Sequence, residues 1–295
     1  MLSSIVGLLK STRPHQWTKN AFVFAAVVFA PKLGEPQAIL RSFYAFGIFC
    51  LGAGAVYLIN DLRDIEKDRL HPKKKERPIA SGQVSTGTAT VAALLLLVVS
   101  LGGSFLLAPA FGGIMAFYLA VNVLYSFYLK NEVILDVIII AIGYVLRVEA
   151  GGIVIDVPVS NYLRLCTFLL ALLLALGKRR HELVLVEDAA NHRKILKEYS
   201  PELLDHMMGL TTASILVSYA LYTQDPEGVG GQNQLIWTVP FVVYGIFRYL
   251  YLIHKREMGG DPAEILFQDW RMSLNILIWL AIAIALIYFH FPIKA

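Results

Sequence analysis

The stretch AFGIFCLGAGAVYLINDLRDIEKD, residues 45–68, runs from an unbroken apolar segment straight into a row of carboxylates. The apolar part belongs to a segment of about 20 residues, the length that crosses a bilayer as a helix. If the helix continues, Asn60, Asp64 and Asp68 fall at i, i+4 and i+8 and share one face, with Asp61 bordering it. Carboxylates beside an amide oxygen are hard oxygen ligands suited to Mg²⁺. That ion keeps several waters and is shared with substrate phosphates, so a sparse carboxylate face at a membrane surface points to diphosphate chemistry. Asn60, Asp61, Asp64 and Asp68 are the candidate metal-holding and catalytic residues.

The rest of the chain agrees with a membrane setting. Of the 295 residues 57% are apolar and 16% charged, with a mean hydropathy of +0.60. This excludes a disordered chain, a collagen and a disulfide scaffold, and it predicts an all-α polytopic membrane protein. Nine spans are expected, at about 16–31, 38–59, 84–107, 109–128, 133–155, 161–177, 206–224, 233–254 and 272–291. They leave no separate soluble domain, so residues 1–295 read as one integral-membrane catalytic domain. A β-barrel would show short alternating segments instead. Cys50 and Cys166, the two cysteines, read as small apolar packing residues. No cleavable signal peptide is expected.

Lys and Arg set the orientation. With the N-terminus in the cytoplasm, most of the 26 basic residues fall on the cytoplasmic side. Lys32, Arg41, Arg164 and Lys294 fall outside, and Arg147 lies within a span. The long polar loops 60–83, 178–205 and 255–271 then all face the cytoplasm. In such a protein, clustered basic charge serves anionic lipid or a phosphate-bearing substrate rather than nucleic acid.

Lys73, Lys74, Lys75 and Arg77 follow the carboxylates directly, and then Pro78-Ile79-Ala80-Ser81-Gly82. Arginine grips phosphate bidentately and lysine acts as a point charge. NDLRDIEKD at the end of a second span, followed by this basic stretch and RPIASG, resembles the first aspartate-rich motif (NDxxDxxxD) of the UbiA-type prenyltransferase superfamily. The resemblance covers essentially the whole chain. It implies a nine-helix bundle with cytoplasmic active-site loops and Mg²⁺ as cofactor.

Most of that superfamily carries a second aspartate motif after helix six. Here the loop begins Gly177-Lys178-Arg179-Arg180-His181-Glu182 and continues through Glu187-Asp188 to His192-Arg193-Lys194, with no DxxxD. Together with RPHQWTKN at 13–20, LRVEAGG at 146–152 and GGDPAE at 259–264, it resembles the polyprenyl-phosphate phosphoribosyltransferase branch. That resemblance implies transfer of 5-phosphoribose from phosphoribosyl diphosphate to a long-chain polyprenyl phosphate, decaprenyl phosphate foremost. Diphosphate is released and the product serves cell-envelope arabinan synthesis in the plasma membrane. A homo-oligomer is compatible with the resemblance. The alternative is a prenyl-diphosphate donor with an aromatic acceptor. A transporter is disfavoured because charge gathers in the cytoplasmic caps and no broken-helix repeat is evident.

Candidate substrate-binding residues are Lys19, Lys73, Lys74, Arg77, Tyr125, Lys130, Arg147, Lys178, Arg179, Arg180, Glu182, His192 and Arg193. Asp136 and Arg147, eleven residues apart, share a helix face but lie too far apart to pair, and Asp136 is placed to join the polar site. A structural ion pair between Arg147 and Glu149 is the plainer reading of those two. Asp261, Asp269 and Arg271 could close over the site. The histidines show no metal-binding spacing.

Overall fold

The computed structural model describes residues 2–72, 74–185, 194–224, 233–256, 258–260, 265 and 268–289. Among these it is all-helical, without a strand. The α-helices in chain order are α1 (Leu2–Ser11), α2 (Ala25–Phe29), α3 (Pro36–Arg63), α4 (Ile65–Leu70), α5 (Thr86–Leu107) and α6 (Pro109–Phe127). They continue with α7 (Leu135–Val154), α8 (Asn161–Leu185), α9 (Pro201–Tyr222), α10 (Val239–Lys255) and α11 (Trp270–Tyr288).

Local chemistry sets these boundaries. Pro36, Pro109 and Pro201 stand in the first turn of α3, α6 and α9, where a missing N–H costs nothing. Ser85, Ser200 and Asp269 cap α5, α9 and α11 by accepting a backbone N–H three residues on. Arg41 of α3 donates to the Leu107 carbonyl at 3.0 Å and also to that of Val154, satisfying the orphan C-terminal ends of α5 and α7.

Among the described residues, seven helical segments are long and apolar enough to cross a membrane: Pro36–Arg63, Thr86–Leu107, Pro109–Phe127, Leu135–Val154, Asn161–Val184, Gln234–Lys255 and Trp270–Tyr288. They match seven of the nine expected spans. The stretch expected at 16–31 is instead a 3-10 helix, Pro14–Phe24, running into the short α2. The stretch expected at 206–224 is α9, a full-length helix diluted by Asp205, His206, Thr211, Thr212 and Ser218.

The two largest of five apolar clusters among the described residues frame the site. The first gathers Val23, Ala45, Phe49, Phe111, Met115, Tyr118 and Leu146 between the 3-10 segment and α3, α6 and α7. The second gathers Val137, Leu173, Leu176, Leu204, Met208, Ile246 and Tyr249 between α7, α8, α9 and α10. α7 contributes to both. Where it crosses the 3-10 segment, a Cβ on Gly151 would lie 2.0 Å from the Val23 carbonyl oxygen, so only glycine permits that approach. Leu94, Leu95, Val98 and Val99 of α5, Leu210 and Val217 of α9 and Leu277 of α11 point outward. A bilayer is the solvent such a surface fits.

Candidate active site

The acidic motif does not continue as one helix. α3 ends at Arg63, and Asp64 sits at a joint with φ −95° and ψ 12° before α4 begins. The Asp64 N–H still donates to the Asn60 carbonyl at 3.0 Å, and the Asp68 N–H to the Asp64 carbonyl at 2.8 Å. The turn therefore survives while the axis bends. The bend regroups the carboxylates. Asp61 and Asp68 are both buried and share Arg77, whose Nη1 lies 3.1 Å from one and 2.6 Å from the other. Arg13 approaches Asp61 at 2.6 Å. Asp64 is a quarter exposed and takes Lys130 at 2.8 Å. Thus Asp61 is a full member of the cluster, and Asp64 stands apart on the wetter side.

Arg13 itself adopts a left-handed conformation, φ 54°, immediately before the Pro14–Phe24 helix. Such strain in a non-glycine residue persists only where surrounding contacts hold it. Here the ion pair with Asp61 and a stack over the Tyr57 ring at 4.8 Å do so.

A second polar cluster is built on α8. Arg179 is 2% exposed. It donates to Asp136 at 2.6 Å, to Glu182 at 2.6 Å and to the Tyr125 hydroxyl at 3.4 Å. Asp136, fully buried near the start of α7, also accepts from the Tyr199 hydroxyl at 2.8 Å, and that oxygen accepts the Ile134 N–H at 2.8 Å. Ile134 has φ 69°, an outlier for a β-branched residue, and the Tyr199 contact pins it. Burial, aided by the neighbouring Asp136 and opposed by the bond from Ile134, leaves the Tyr199 phenol pushed up to about 12.

A cavity of about 300 Å³ takes Arg13 of the first cluster and Tyr125, Arg179 and Glu182 of the second into its lining, while Asn60, Asp61, Asp64 and Asp68 are not part of that lining. Arg13, Gln16, Lys19, Tyr57, Asn122, Tyr125, Lys178, Arg179 and Glu182 line it, and Tyr118, Gly143, Tyr144 and Arg147 line it further along α6 and α7. Of the residues expected to bind substrate, Lys19, Tyr125, Arg147, Lys178, Arg179 and Glu182 share this cavity. Arg77 and Lys130 hold the carboxylates instead. Lys74 lies on the turn Lys74–Glu76 and is not part of the lining. Arg180 turns to α9 and pairs with Asp205 at 2.5 Å. Lys73, His192 and Arg193 lie outside the described residues, as do Glu187, Asp188 and Asp261.

The expected Arg147–Glu149 pair does not form. Residues two apart on a helix point to different sides, and Glu149 pairs with Arg164 of α8. Asp269 pairs with Arg248 at 2.5 Å and caps α11 rather than closing over the cavity. The sequence reading left Asn20, Gln16, Tyr57, Tyr118 and Tyr144 unassigned. The signal for Asn20 was a lone amide opening an apolar run, and it is buried against Arg147.

No group of three His, Cys, Asp or Glu side chains among the described residues converges as a ready metal cage. The donor set still suits a hard cation. It comprises three carboxylates and the Asn60 amide on neighbouring turns, with Asp64 accessible. Mg²⁺ is normally held by one or two carboxylates, waters and substrate phosphate rather than by an all-protein cage.

Known proteins resemble this chain along nearly its full length. The UbiA prenyltransferase family profile matches residues 20–277. A curated relative from Mycolicibacterium smegmatis, named decaprenyl-phosphate phosphoribosyltransferase, is 36% identical over 97% of this chain and 93% of its own. A relative of the same name from Mycobacterium tuberculosis is 33% identical over 94% and 93%. Among solved structures, a UbiA homolog from Archaeoglobus fulgidus bound to GPP and Mg²⁺ superposes with a TM-score of 0.73. It is 19% identical, over 95% of this chain and 99% of that one.

Proposed function

This chain belongs to the UbiA prenyltransferase family, and from that premise we propose that it moves 5-phosphoribose from phosphoribosyl diphosphate to a long-chain polyprenyl phosphate. Decaprenyl phosphate is the first acceptor to test, given the names of the curated relatives. The reaction releases diphosphate, depends on Mg²⁺, and in the plasma membrane supplies a lipid-linked precursor for cell-envelope arabinan. The whole chain acts as one catalytic unit.

What carries this reading is one cavity lined both by Arg13, which pairs with Asp61 of the acidic cluster, and by Lys178 and Arg179 of the second cluster. Asn60, Asp61, Asp64 and Asp68 are the residues that would hold the ion. When bound, the ion neutralises charge that develops on the leaving diphosphate. Lys130, Arg77 and Arg13 already neutralise these carboxylates, so donor phosphates can take over the cations as the carboxylates turn to metal. Lys178 presents positive charge from the α8 wall, where Arg179, held by Asp136 and Glu182, fixes the lining. The anomeric carbon gains positive character as its bond to diphosphate lengthens. The lipid phosphate, already an anion, attacks that carbon, so no general base is required. Holding two highly charged heads in one cavity supplies the orientation.

The topology belongs to the same reading. The Pro14–Phe24 helix and α2 together reach about 30 Å, because a 3-10 turn rises faster per residue. α9 reaches about 33 Å. With the seven apolar helices these make nine crossings, with the N-terminus and both polar clusters on the cytoplasmic side.

The test uses purified protein, Mg²⁺, ribose-labelled phosphoribosyl diphosphate and polyprenyl monophosphates of several lengths. Label entering the organic phase only with Mg²⁺ is the expected result. If a folded protein transfers none, and instead consumes a prenyl diphosphate with an aromatic acceptor, the donor assignment is wrong.

A further inference from the structure

The deep end of the cavity holds a cation that neither cluster compensates. Arg147 is buried, eleven residues beyond Asp136 on α7, or about 16 Å further along the helix. Its Nε donates to the Asn20 amide oxygen at 2.8 Å, Nη1 to the Gly143 carbonyl at 2.6 Å and Nη2 to the Tyr118 hydroxyl at 2.9 Å. The guanidinium lies over the rings of Tyr118, Tyr144 and Phe49 at 5.0, 5.3 and 5.7 Å. All these partners are neutral, and among the described residues no carboxylate pairs with it. The other two arginines on the cavity are paired, Arg13 with Asp61 and Arg179 with Asp136 and Glu182.

An ionised side chain inside a span is costly unless an anion meets it, and ring faces supply only part of that compensation. Three of the five guanidinium donors are committed to protein acceptors, which leaves two for an incoming ligand. The planar fork fits a phosphate better than any other common biological anion except a carboxylate. The surrounding residues, Phe49, Tyr118 and Leu146, belong to the first apolar core. The approach is therefore through the cavity, from the side where the polar clusters lie.

We infer that Arg147 receives a phosphate monoester that takes no part in bond breaking, namely the 5-phosphate of phosphoribosyl diphosphate. This rests on the proposed donor. α6 gives the spacing: Tyr118 touches Arg147 and Tyr125 touches Arg179, seven residues or about 10 Å apart along the axis. A pentose with diphosphate at one end and phosphate at the other is a compact ligand with two anionic ends, matching a cavity that carries the uncompensated Arg147 and, beside the Arg179 cluster, Lys178. A prenyl diphosphate has one anionic end and an apolar tail, which leaves Arg147 buried and unmatched. Arg147 thus selects a phosphosugar donor over a prenyl donor. The lipid acceptor also carries a phosphate monoester, so the experiment must separate the two sources.

Ribose 5-phosphate is the probe, because it carries the far phosphate and no diphosphate. In the unmodified full chain in nanodiscs it is expected to raise thermal stability and to compete with the donor, whereas ribose does neither. R147K keeps the charge but loses the fork. It is expected to raise KM for phosphoribosyl diphosphate by at least about tenfold, to weaken ribose 5-phosphate inhibition in parallel, and to leave KM for polyprenyl phosphate unchanged. A raised KM for the lipid alone, or an unaltered donor KM, overturns the assignment. A chain that transfers no phosphoribose yet is stabilised by ribose 5-phosphate through Arg147 retains the phosphate subsite and loses only the donor reading. An unmodified chain that ribose 5-phosphate neither stabilises nor inhibits overturns the subsite outright.

Discussion

The two polar clusters use the same ion-pair chemistry in opposite ways. At the α3–α4 joint, carboxylates are held by cations from three distant segments, and those cations stay 20–29% exposed. On α8, one arginine is held by Asp136 and Glu182, with Arg179 and Asp136 almost wholly dry. The Asp64–Lys130 pair, partly exposed on both sides, exchanges partners at little cost, because water screens both the bond lost and the charge released. A dry pair does not exchange, since breaking it strands a buried charge. The acidic cluster is thus the part that can rearrange around a ligand, and the Arg179 cluster is a fixed wall against which it does so.

The largest effect separates the clusters by activity. Asp64→Asn keeps size and shape at the joint but removes one of the charges that would hold the ion. Transfer is expected to fall by at least about a hundredfold with Tm nearly unchanged. Retained transfer would break the assignment of Asp64. Next, the clusters should differ in stability. Asp136→Asn leaves Arg179 buried with Glu182 alone, and is expected to cost about 3–5 kcal/mol. Lys130→Gln, whose partner Asp64 is a quarter exposed, is expected to cost far less by the same thermal unfolding measurement. Equal losses would erase the distinction between wall and moving part.

Adjacent residues explain how much of this was legible in sequence. The apolar run into NDLRDIEKD announces a membrane helix ending in carboxylates, and the structure places Asp61 in the last turn of α3, Asp64 at the joint and Asp68 in α4. The bend at Asp64 was not legible, because Lys130 and Arg77 draw neighbouring carboxylates to different sides. Neither cation's reach can be read from local spacing. The triplet Lys178-Arg179-Arg180 reads as one basic patch, yet successive helical residues point about 100° apart. Arg179 therefore faces the cavity while Arg180 meets Asp205. The Arg179–Asp136 pair joins residues 43 apart in sequence, and periodicity within one helix cannot find it. The 3-10 winding at 14–24 was not legible, because an apolar run of the right length reads as an α-helix whether or not it winds as one.

Arg180 sharpens the comparison at smaller scale. Its partner Asp205 is about a third exposed and is shared with His254 at 3.1 Å. Arg180→Gln is expected to leave donor KM within about twofold and to cost no more than about 1 kcal/mol. A large loss of transfer would mean that the α9 pair belongs to the active site, and that the cavity lining understates its reach.

The smallest expected effect concerns pH. The bond from Arg248, ahead of the opposing effect of burial, holds the Asp269 carboxyl below the ordinary carboxylate range. A depressed folded pKa means that the unfolded chain takes up the proton first as pH falls. The stabilisation is therefore complete above the unfolded pKa, near 4, and is lost as pH drops through the lower folded value. Asp269 also accepts the Met272 N–H at the start of α11. Its protonation loosens both the helix cap and the tie to α10. Tm in detergent is expected to be flat from about pH 5 to 8 as far as this group is concerned, and to fall more steeply below pH 4 in the unmodified chain than in D269N. D269N should start from a slightly lower Tm at neutral pH, since an amide still caps the helix but no longer pairs with Arg248. Parallel acid curves for the two proteins would show that the α10–α11 tie contributes nothing.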